Sequence, residues 1–327
     1  MSAREDGSTD PGILSPEMRA LLDAVAAETG PVPDGTLLPP AEGRALAARI
    51  NARWNQDLPP IAAVAEARVP ADPALGSAEV PLLVLMPPGA SAGTILYVHG
   101  GGFAFCSPQT HERCARVLAL EACMTVVLPD YRLAPEHPYP AGLRDVVATL
   151  RALSAGTVES VASGPLLVSG DSAGANLALA AMLHEQREER PLPDGALLFY
   201  GNYTADISGE AYVRFAEGPG LTTARMGRYW SWYAGGRTLN GDPLACPLDA
   251  DDDALRALPP LYLMAAGVDP LFGDTERLSG RLAALGRDDR FDIVPGVVHG
   301  FLQYTRDLAV ARTALAAAGR AARGFVA

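Results

Sequence analysis

Gly170-Asp171-Ser172-Ala173-Gly174 follows the apolar run Leu166 to Val168 and opens a helical run from Asn176 to Leu183. A strand, a sharp turn and a helix in that order are what the G-x-S-x-G nucleophile elbow demands. The serine takes the strained position at the turn, so that its hydroxyl stands clear above the sheet. The flanking glycines remove Cβ atoms that would collide where strand and helix cross. Small-residue runs are common in a chain with 33 glycines, so the pentapeptide gains its weight from signals elsewhere.

His99-Gly100-Gly101-Gly102-Phe103 directly follows the apolar run Thr94 to Val98. Three glycines let the backbone turn several N–H groups toward one point. Acyl transfer needs such a point, because the carbonyl oxygen becomes an anion in the tetrahedral intermediate; one preorganised donor is worth roughly 100- to 1000-fold in rate. The expected donors are the amides of Gly101, Gly102 and Ala173. An Asp just after a strand comes in Leu261 to Asp269, and His299 follows the last strand in Gly296-Val297-Val298-His299-Gly300-Phe301. The order Ser172, Asp269, His299 is the order this strand–turn–helix architecture requires. Ser172 is the expected nucleophile, His299 the base that later becomes the acid, and Asp269 the group that holds the imidazole. Asp274, read as a helix N-cap, and Asp292, read as lying in a strand, are the competing acids. His99 is expected to order the glycine loop, while His111, His184 and His137 are assigned surface or structural roles. Activity is expected to fall below about pH 6 as the histidine protonates.

Composition narrows the field further. The formal charge of −12 disfavours nucleic acid and anionic membrane as partners. All 26 basic residues are arginine, which removes Schiff-base, P-loop and S-x-x-K chemistry together. No H-E-x-x-H, paired C-x-x-C or G-x-G-x-x-G occurs, so neither a metal nor a dinucleotide cofactor is expected. Asp249 to Asp253 superficially resembles a calcium loop but lacks Gly at the sixth position, and reads as a solvated acidic turn. The start, Met1 to Gly7, lacks a charged segment followed by an apolar one, and no apolar run approaches the roughly 20 residues of a membrane helix. Cys106, Cys114, Cys123 and Cys246 are therefore expected as free thiols of a cytoplasmic chain.

Along the chain, residues 1 to about 15 read as disordered, and helices are expected over 16–28 and 41–56, with Leu46, Ile50 and Trp54 on one stripe. Pro59-Pro60 marks a boundary. Strand-like runs then cover 62–69, 80–86, 94–99, 124–128, 166–169, 196–200, 261–266 and 291–294. Helical runs cover 109–121, 140–153, 174–188, 274–285 and 304–323. This alternation predicts a doubly wound α/β sheet, with an antiparallel start because only turn residues separate the first two strands. The insertion at about 203–245 concentrates aromatics (Tyr203, Tyr212, Phe215, Tyr229, Trp230, Trp232, Tyr233), which suits a small helical subdomain whose rings also wall an apolar pocket. Phe103, Cys106 and Tyr203 are the expected pocket residues.

HGGGF, DYRLAPEHPYPA (Asp130 to Ala141), GDSAGAN, DPL and HGF together resemble the hormone-sensitive-lipase-like family of bacterial esterases, within the α/β-hydrolases, from about residue 60 onward. The resemblance implies an eight-stranded, mostly parallel sheet over 61–327, with a cap built from residues 1–60 and the 203–245 insertion. It also implies cofactor-free hydrolysis of short- to medium-chain acyl esters, a small-molecule ester partner, and in many members a homodimer formed through the edge of the last strand. Amide, lactone or carbamate hydrolysis would use the same machinery, and a non-catalytic receptor on this scaffold would usually lack a triad member. Cys106 stands where the family often has Gly, Ala175 replaces a second Gly after the elbow, and Gly273 replaces a common acidic residue. Asp130, Arg132, Glu136 and Asp145 read as an ion-pair and loop-ordering set.

Overall fold

Runs of valine, leucine and alanine too apolar to face water on either side become central strands. The structure, a computed structural model, describes residues 10–90 and 93–327. Among these, the strands are β1 (Ala63–Val69), β2 (Val80–Met86), β3 (Thr94–Val98), β4 (Thr125–Pro129), β5 (Leu166–Asp171), β6 (Gly195–Phe199), β7 (Leu261–Val268) and β8 (Arg290–Val298). They form one 8-stranded sheet in the order β1-β2-β4-β3-β5-β6-β7-β8. β2 runs antiparallel to both β1 and β4, and every other pairing is parallel, as the turn-linked start and later alternation predict. β3 to β7 are buried along their whole length, which a parallel sheet covered on both faces requires.

The helices are α1 (Pro16–Thr29), α2 (Pro40–Ala52), α3 (Glu112–Ala122), α4 (Ala141–Ser154), α5 (Ala173–Arg187), α6 (Glu210–Arg214), α7 (Thr223–Ala234), α8 (Asp252–Arg256), α9 (Phe272–Ala284) and α10 (Ala309–Phe325). α4, α5 and α9 contribute to the core on one face of the sheet, and α1, α3 and α10 to the core on the other. The chain leaves β3 through α3 on one face and β5 through α5 on the opposite face. A crevice therefore opens between the carboxyl ends of these two neighbours, the switch point where open α/β sheets bind ligands.

Several boundaries differ from expectation. α2 stops at Ala52, four residues early, and Trp54 leaves the helix to pack at a tilt on Tyr304 with ring centroids 4.3 Å apart. The helix expected from residue 109 is preceded by a 3-10 turn, Pro108–His111, fixed by a capping box between Ser107 and Thr110. α10 begins at Ala309 because Phe301–Tyr304 form a 3-10 turn of their own. The disorder expected to about residue 15 is corrected from residue 10 onward. Gly296 on the outer edge of β8 donates to the Pro11 carbonyl and accepts from the Ser15 amide (2.9 and 3.0 Å), and Asp10 pairs with Arg214. Residues 1–9 lie outside the described residues.

Asp274 is also corrected: it is the third residue of α9, behind Leu271 at the cap position, and it is buried. Its Oδ2 accepts from the Tyr203 amide at 2.9 Å and the Tyr212 hydroxyl at 3.3 Å, tying the start of the insertion to α9. Burial pushes its carboxyl up to about 8 from an ordinary 3.8, even against those donors. The unfolded chain thus ionises this group first, and its contribution to stability falls as pH rises from about 4 toward 8, by at most about 1.4 kcal/mol per pH unit. Asp274→Asn keeps an acceptor oxygen without titrating. Its melting temperature relative to wild type should climb steadily between pH 5 and pH 8; a difference that stays flat over that range would contradict the assignment.

Candidate active site

Ser172 sits between the last residue of β5 and the first of α5 with φ 54° and ψ −123°, a conformation that side chains rarely adopt. Two contacts hold it there. Its amide donates to the Phe199 carbonyl at the end of β6 (2.9 Å), and α5 crosses the end of β3 so closely that a Cβ at Gly174 would lie 1.9 Å from the Val98 oxygen. Only glycine permits that crossing, so the second glycine of the motif fixes where the serine stands.

β7 and β8 deliver the other two groups to the same end of the sheet. Asp269 follows β7 directly, after a register shift between Ala266 and Val268; such irregularities re-aim the residues beside them. It is fully buried, with Oδ1 accepting from the Leu271 amide at 2.8 Å. Oδ2 lies 2.7 Å from Nδ1 of His299, and Nε2 of His299 lies 2.9 Å from Oγ of Ser172. Nδ1–H donates to this carboxylate, which leaves the Nε2 lone pair facing the serine O–H. The Tyr200 ring meets the imidazole edge-on at 5.0 Å and limits its tilt. The competing acids lie elsewhere: Asp274 is committed to Tyr203 and Tyr212, and Asp292 pairs with Arg290 and accepts from the Tyr262 hydroxyl.

The glycine loop leaves β3 beside Ser172. Gly102 has φ 61°, and a Cβ there would enter the Tyr229 ring, 2.3 Å from its nearest carbon. His99 does order the loop. It is fully buried, its Nδ1 pairs with the Gly100 carbonyl at 2.8 Å, and its ring stacks on Tyr131 at 4.4 Å. Burial, aided by nearby His111, drives its imidazole down to about 3, so it works as a neutral donor.

Sequence reasoning missed Asp171 and, of the two roles open to His111, the structure favours the structural one. The Asp171 carboxylate is buried, and its Oδ1 accepts from the Gly100 amide (2.9 Å) and the Tyr97 hydroxyl (3.0 Å), with Nε2 of His111 at 3.3 Å. Burial opposes its charge, yet His111, Gly100 and Tyr97 together hold its carboxyl below the usual range. One oxygen thus ties the glycine loop to the residue preceding the serine. The x of G-x-S-x-G carried the signal, since a charged residue there needs partners in the site.

A cavity of about 230 Å³ opens over Ser172, Gly101, Gly102 and His299. Its walls are largely apolar, including Trp54, Leu221, Met226, Tyr229 and Tyr304, with Asp171 and His111 at its floor. Cys106 also lines it, at φ 69°, a left-handed conformation that explains why glycine suits this position. Burial pushes the Cys106 thiol up to about 12, so it stays protonated. The other two expected pocket residues do not line this cavity. Phe103 stacks against Tyr233 with centroids 3.8 Å apart, and Tyr203 is wholly buried beneath Gly201. Trp54 and Tyr229 form wall in their place.

The insertion and the N-terminal segment meet above this cavity. Arg225 and Arg228 of α7 both pair with Asp34, and Arg228 also donates to the Thr36 hydroxyl. Arg44 of α2 donates to the carbonyls of Ala104 and Ala134 (2.8 and 2.9 Å) and pairs with Glu136. Of the set around Asp130 to Asp145, Arg132 grips Asp145 through two nitrogens at 2.8 Å each, as a loop-ordering pair.

Comparison with known proteins gives the family. The profile of the alpha/beta hydrolase fold family matches residues 95–303. Esterase LipI of Mycobacterium tuberculosis is 36% identical over 220 residues, 67% of this chain and 68% of the relative. Carboxylesterase NlhH of the same species is 34% identical over 235 residues, 70% and 73% of the two chains. Among solved structures, an ester-hydrolase from the metagenome of Lake Arreo superposes with a TM-score of 0.87 at 33% identity, covering 95% of this chain and 99% of that one. A thermostable esterase from Pseudomonas putida gives 0.88 at 26% identity, covering 98% and 99%. The chain belongs to the hormone-sensitive-lipase-like carboxylesterases of the alpha/beta hydrolase fold family, and is a carboxylic ester hydrolase.

Proposed function

We propose that the protein hydrolyses short- to medium-chain acyl esters, favouring short chains, through a covalent acyl-enzyme on Ser172. The observation that carries this reading is the hydrogen-bonded line from Asp269 through His299 to Ser172, ending in the cavity beside the glycine loop. Ser172 Oγ attacks the ester carbonyl carbon while its proton passes to Nε2 of His299, and the carbonyl π pair moves onto oxygen. The amides of Gly101, Gly102 and Ala173 receive that oxyanion. Collapse breaks the carbon–alkoxide bond, and Nε2 returns its proton to the departing alcohol. Water then repeats the sequence on the acyl-serine, giving up a proton to Nε2 and releasing the acid.

The chain-length preference follows from space. About 230 Å³ lies below the roughly 300–1,000 Å³ of sites that hold drug-sized ligands. In this reading residues 34–54 and the 203–245 insertion act as the cap, clamped by Asp34 to Arg225 and Arg228. The Lake Arreo relative was solved with a derivative of bipyridine phosphonate. A tetrahedral phosphonyl group imitates the oxyanion intermediate, so the same class of compound is expected to seat over Ser172 here.

Hydrolysis of p-nitrophenyl acetate, butyrate, octanoate and palmitate provides the direct test. Rates should be highest for acetate or butyrate and fall steeply beyond, and Ser172→Ala should abolish all of them. Asp269→Asn should lower kcat by about 10⁴-fold, as loss of the carboxylate does in triads of this design. A palmitate optimum, or activity surviving in Ser172→Ala, would contradict the reading.

Asp171 is expected to act through the loop. Asp171→Ala strands the Gly100 amide and the Tyr97 hydroxyl, each a buried donor whose loss of partner costs about 1–3 kcal/mol. The variant should melt lower, and its kcat should fall by about 10- to 100-fold with KM little changed, part of the loss expected when an oxyanion donor is mispositioned. Asp171→Asn, which keeps one acceptor oxygen, should recover part of kcat. Equal kcat in wild type and Asp171→Ala would show that the tie is dispensable.

A further inference from the structure

One polar side chain of the cavity is explained neither by the hydrolytic machinery nor by the fold. Gln303 lies in the Phe301–Tyr304 turn, four residues after His299, and is 6% exposed. It lines the cavity that contains Ser172, Gly101, Gly102 and His299. Among the described residues neither its Nε2 nor its Oε1 has a hydrogen-bond partner, and both atoms are buried. The turn does not need this amide for its own stability, because the Gln303 backbone N–H already donates to the Gly300 carbonyl at 3.1 Å. Its neighbours Phe301 and Leu302 are buried hydrophobes that pack beneath the sheet ends. A leucine or methionine at 303 would fill similar space without leaving a buried amide unpaired.

We propose that Gln303 selects the alcohol half of the substrate, and that the preferred substrates are esters whose alcohol moiety carries a hydroxyl or a carboxamide. The inference rests on the reading of Ser172 and His299 given above. His299 Nε2 must reach the departing oxygen to protonate it, so the alcohol leaves on the His299 side of the cavity, and Gln303 belongs to the turn that begins two residues after His299. The unpaired atoms are one acceptor and one donor. A hydroxyl or a carboxamide can satisfy both, whereas an ether or ketone leaves Oε1 unpaired and an alkyl group leaves both. Trp54, Leu221 and Met226 of the same cavity are apolar, so water competes poorly for the amide once the cavity is filled. Sites with a buried hydrogen-bonding group discriminate strongly against substrates that lack its complement, because the group is then left unpaired.

Matched esters test this: 2-hydroxyethyl butyrate against n-propyl butyrate, and 3-hydroxypropyl butyrate against n-butyl butyrate, each pair differing by a hydroxyl in place of a methyl. Wild type should hydrolyse at least one hydroxyalkyl ester with kcat/KM tenfold or more above its alkyl partner. In Gln303→Leu that ratio should fall at least tenfold, the loss being larger on the hydroxyalkyl ester. Gln303→Met, with an unbranched side chain close to glutamine in shape, is read in the same way should the leucine variant fold poorly. No preference in wild type, or a ratio unchanged in both variants, would overturn the proposal and leave Gln303 a packing residue. Ser172→Ala run in parallel separates the two levels. Alkyl-ester hydrolysis that survives there would overturn the reading of the site itself, while its loss together with an unchanged Gln303 ratio would overturn only the assignment of Gln303.

Discussion

The crossing of α5 over the end of β3 is the constraint on which the chemistry of this protein depends. With the Gly174 α-carbon pressed against the Val98 carbonyl, the chain cannot relax at Ser172, and the serine stays at φ 54° above the sheet. The same crossing sets the Ala173 amide at the start of a helix and points the Asp171 side chain back toward the glycine loop. Strain at a functional turn persists only where the surroundings over-determine it. Here the determinants are the Phe199 carbonyl, the Val98 carbonyl and the partners of Asp171.

Around that turn, charge is used sparingly and always in pairs. Asp269 and Asp171 are both buried carboxylates within the site, one facing His299 and the other facing His111, Gly100 and Tyr97. Farther out, an all-arginine complement of cations suits the work required of it. A guanidinium presents several donors in a planar fork, so it can grip a carboxylate at two points and bridge backbone carbonyls at once. Arg132 does so with Asp145, Arg151 with Glu185, and Arg287 with Asp289 and the carbonyls of Leu258 and Pro259. Arg44, Arg225 and Arg228 apply the same chemistry where the N-terminal segment meets the glycine loop and α7. The acidic run after Asp249 is absorbed similarly, since Asp251 caps α8, Asp252 pairs with Arg281 and Asp253 with Arg256.

The sheet and the Ser172–His299–Asp269 line were legible because both are written locally. Alternation gives the parallel sheet and turn residues its antiparallel start, and each of the three side chains directly follows a strand. What escaped was decided by contacts between distant segments. Nothing near His111 in the chain reveals that its ring meets Asp171, and nothing near Phe103 reveals that Tyr233 will cover it. Tyr203 read as a pocket ring because aromatics cluster after β6, yet its backbone is drawn inward by Asp274, a residue of a helix about seventy positions later. Trp54 was placed on a helical stripe by spacing alone, and the actual partner, Tyr304, lies 250 residues away. The open pairing groups of β8 were likewise invisible to local reading, because the chain uses its own residues 11–15 to cover Gly296.

The central claim is that Ser172 is the atom that bonds to the substrate, and covalent trapping tests it most directly. A small alkyl phosphonate p-nitrophenyl ester, incubated with wild type and with Ser172→Ala, is followed by intact-mass measurement and peptide mapping. The account predicts one phosphonyl group per chain, on the peptide containing Ser172, formed with release of one equivalent of p-nitrophenol and absent from the variant. Labelling at another residue, or equal labelling of wild type and variant, would contradict it.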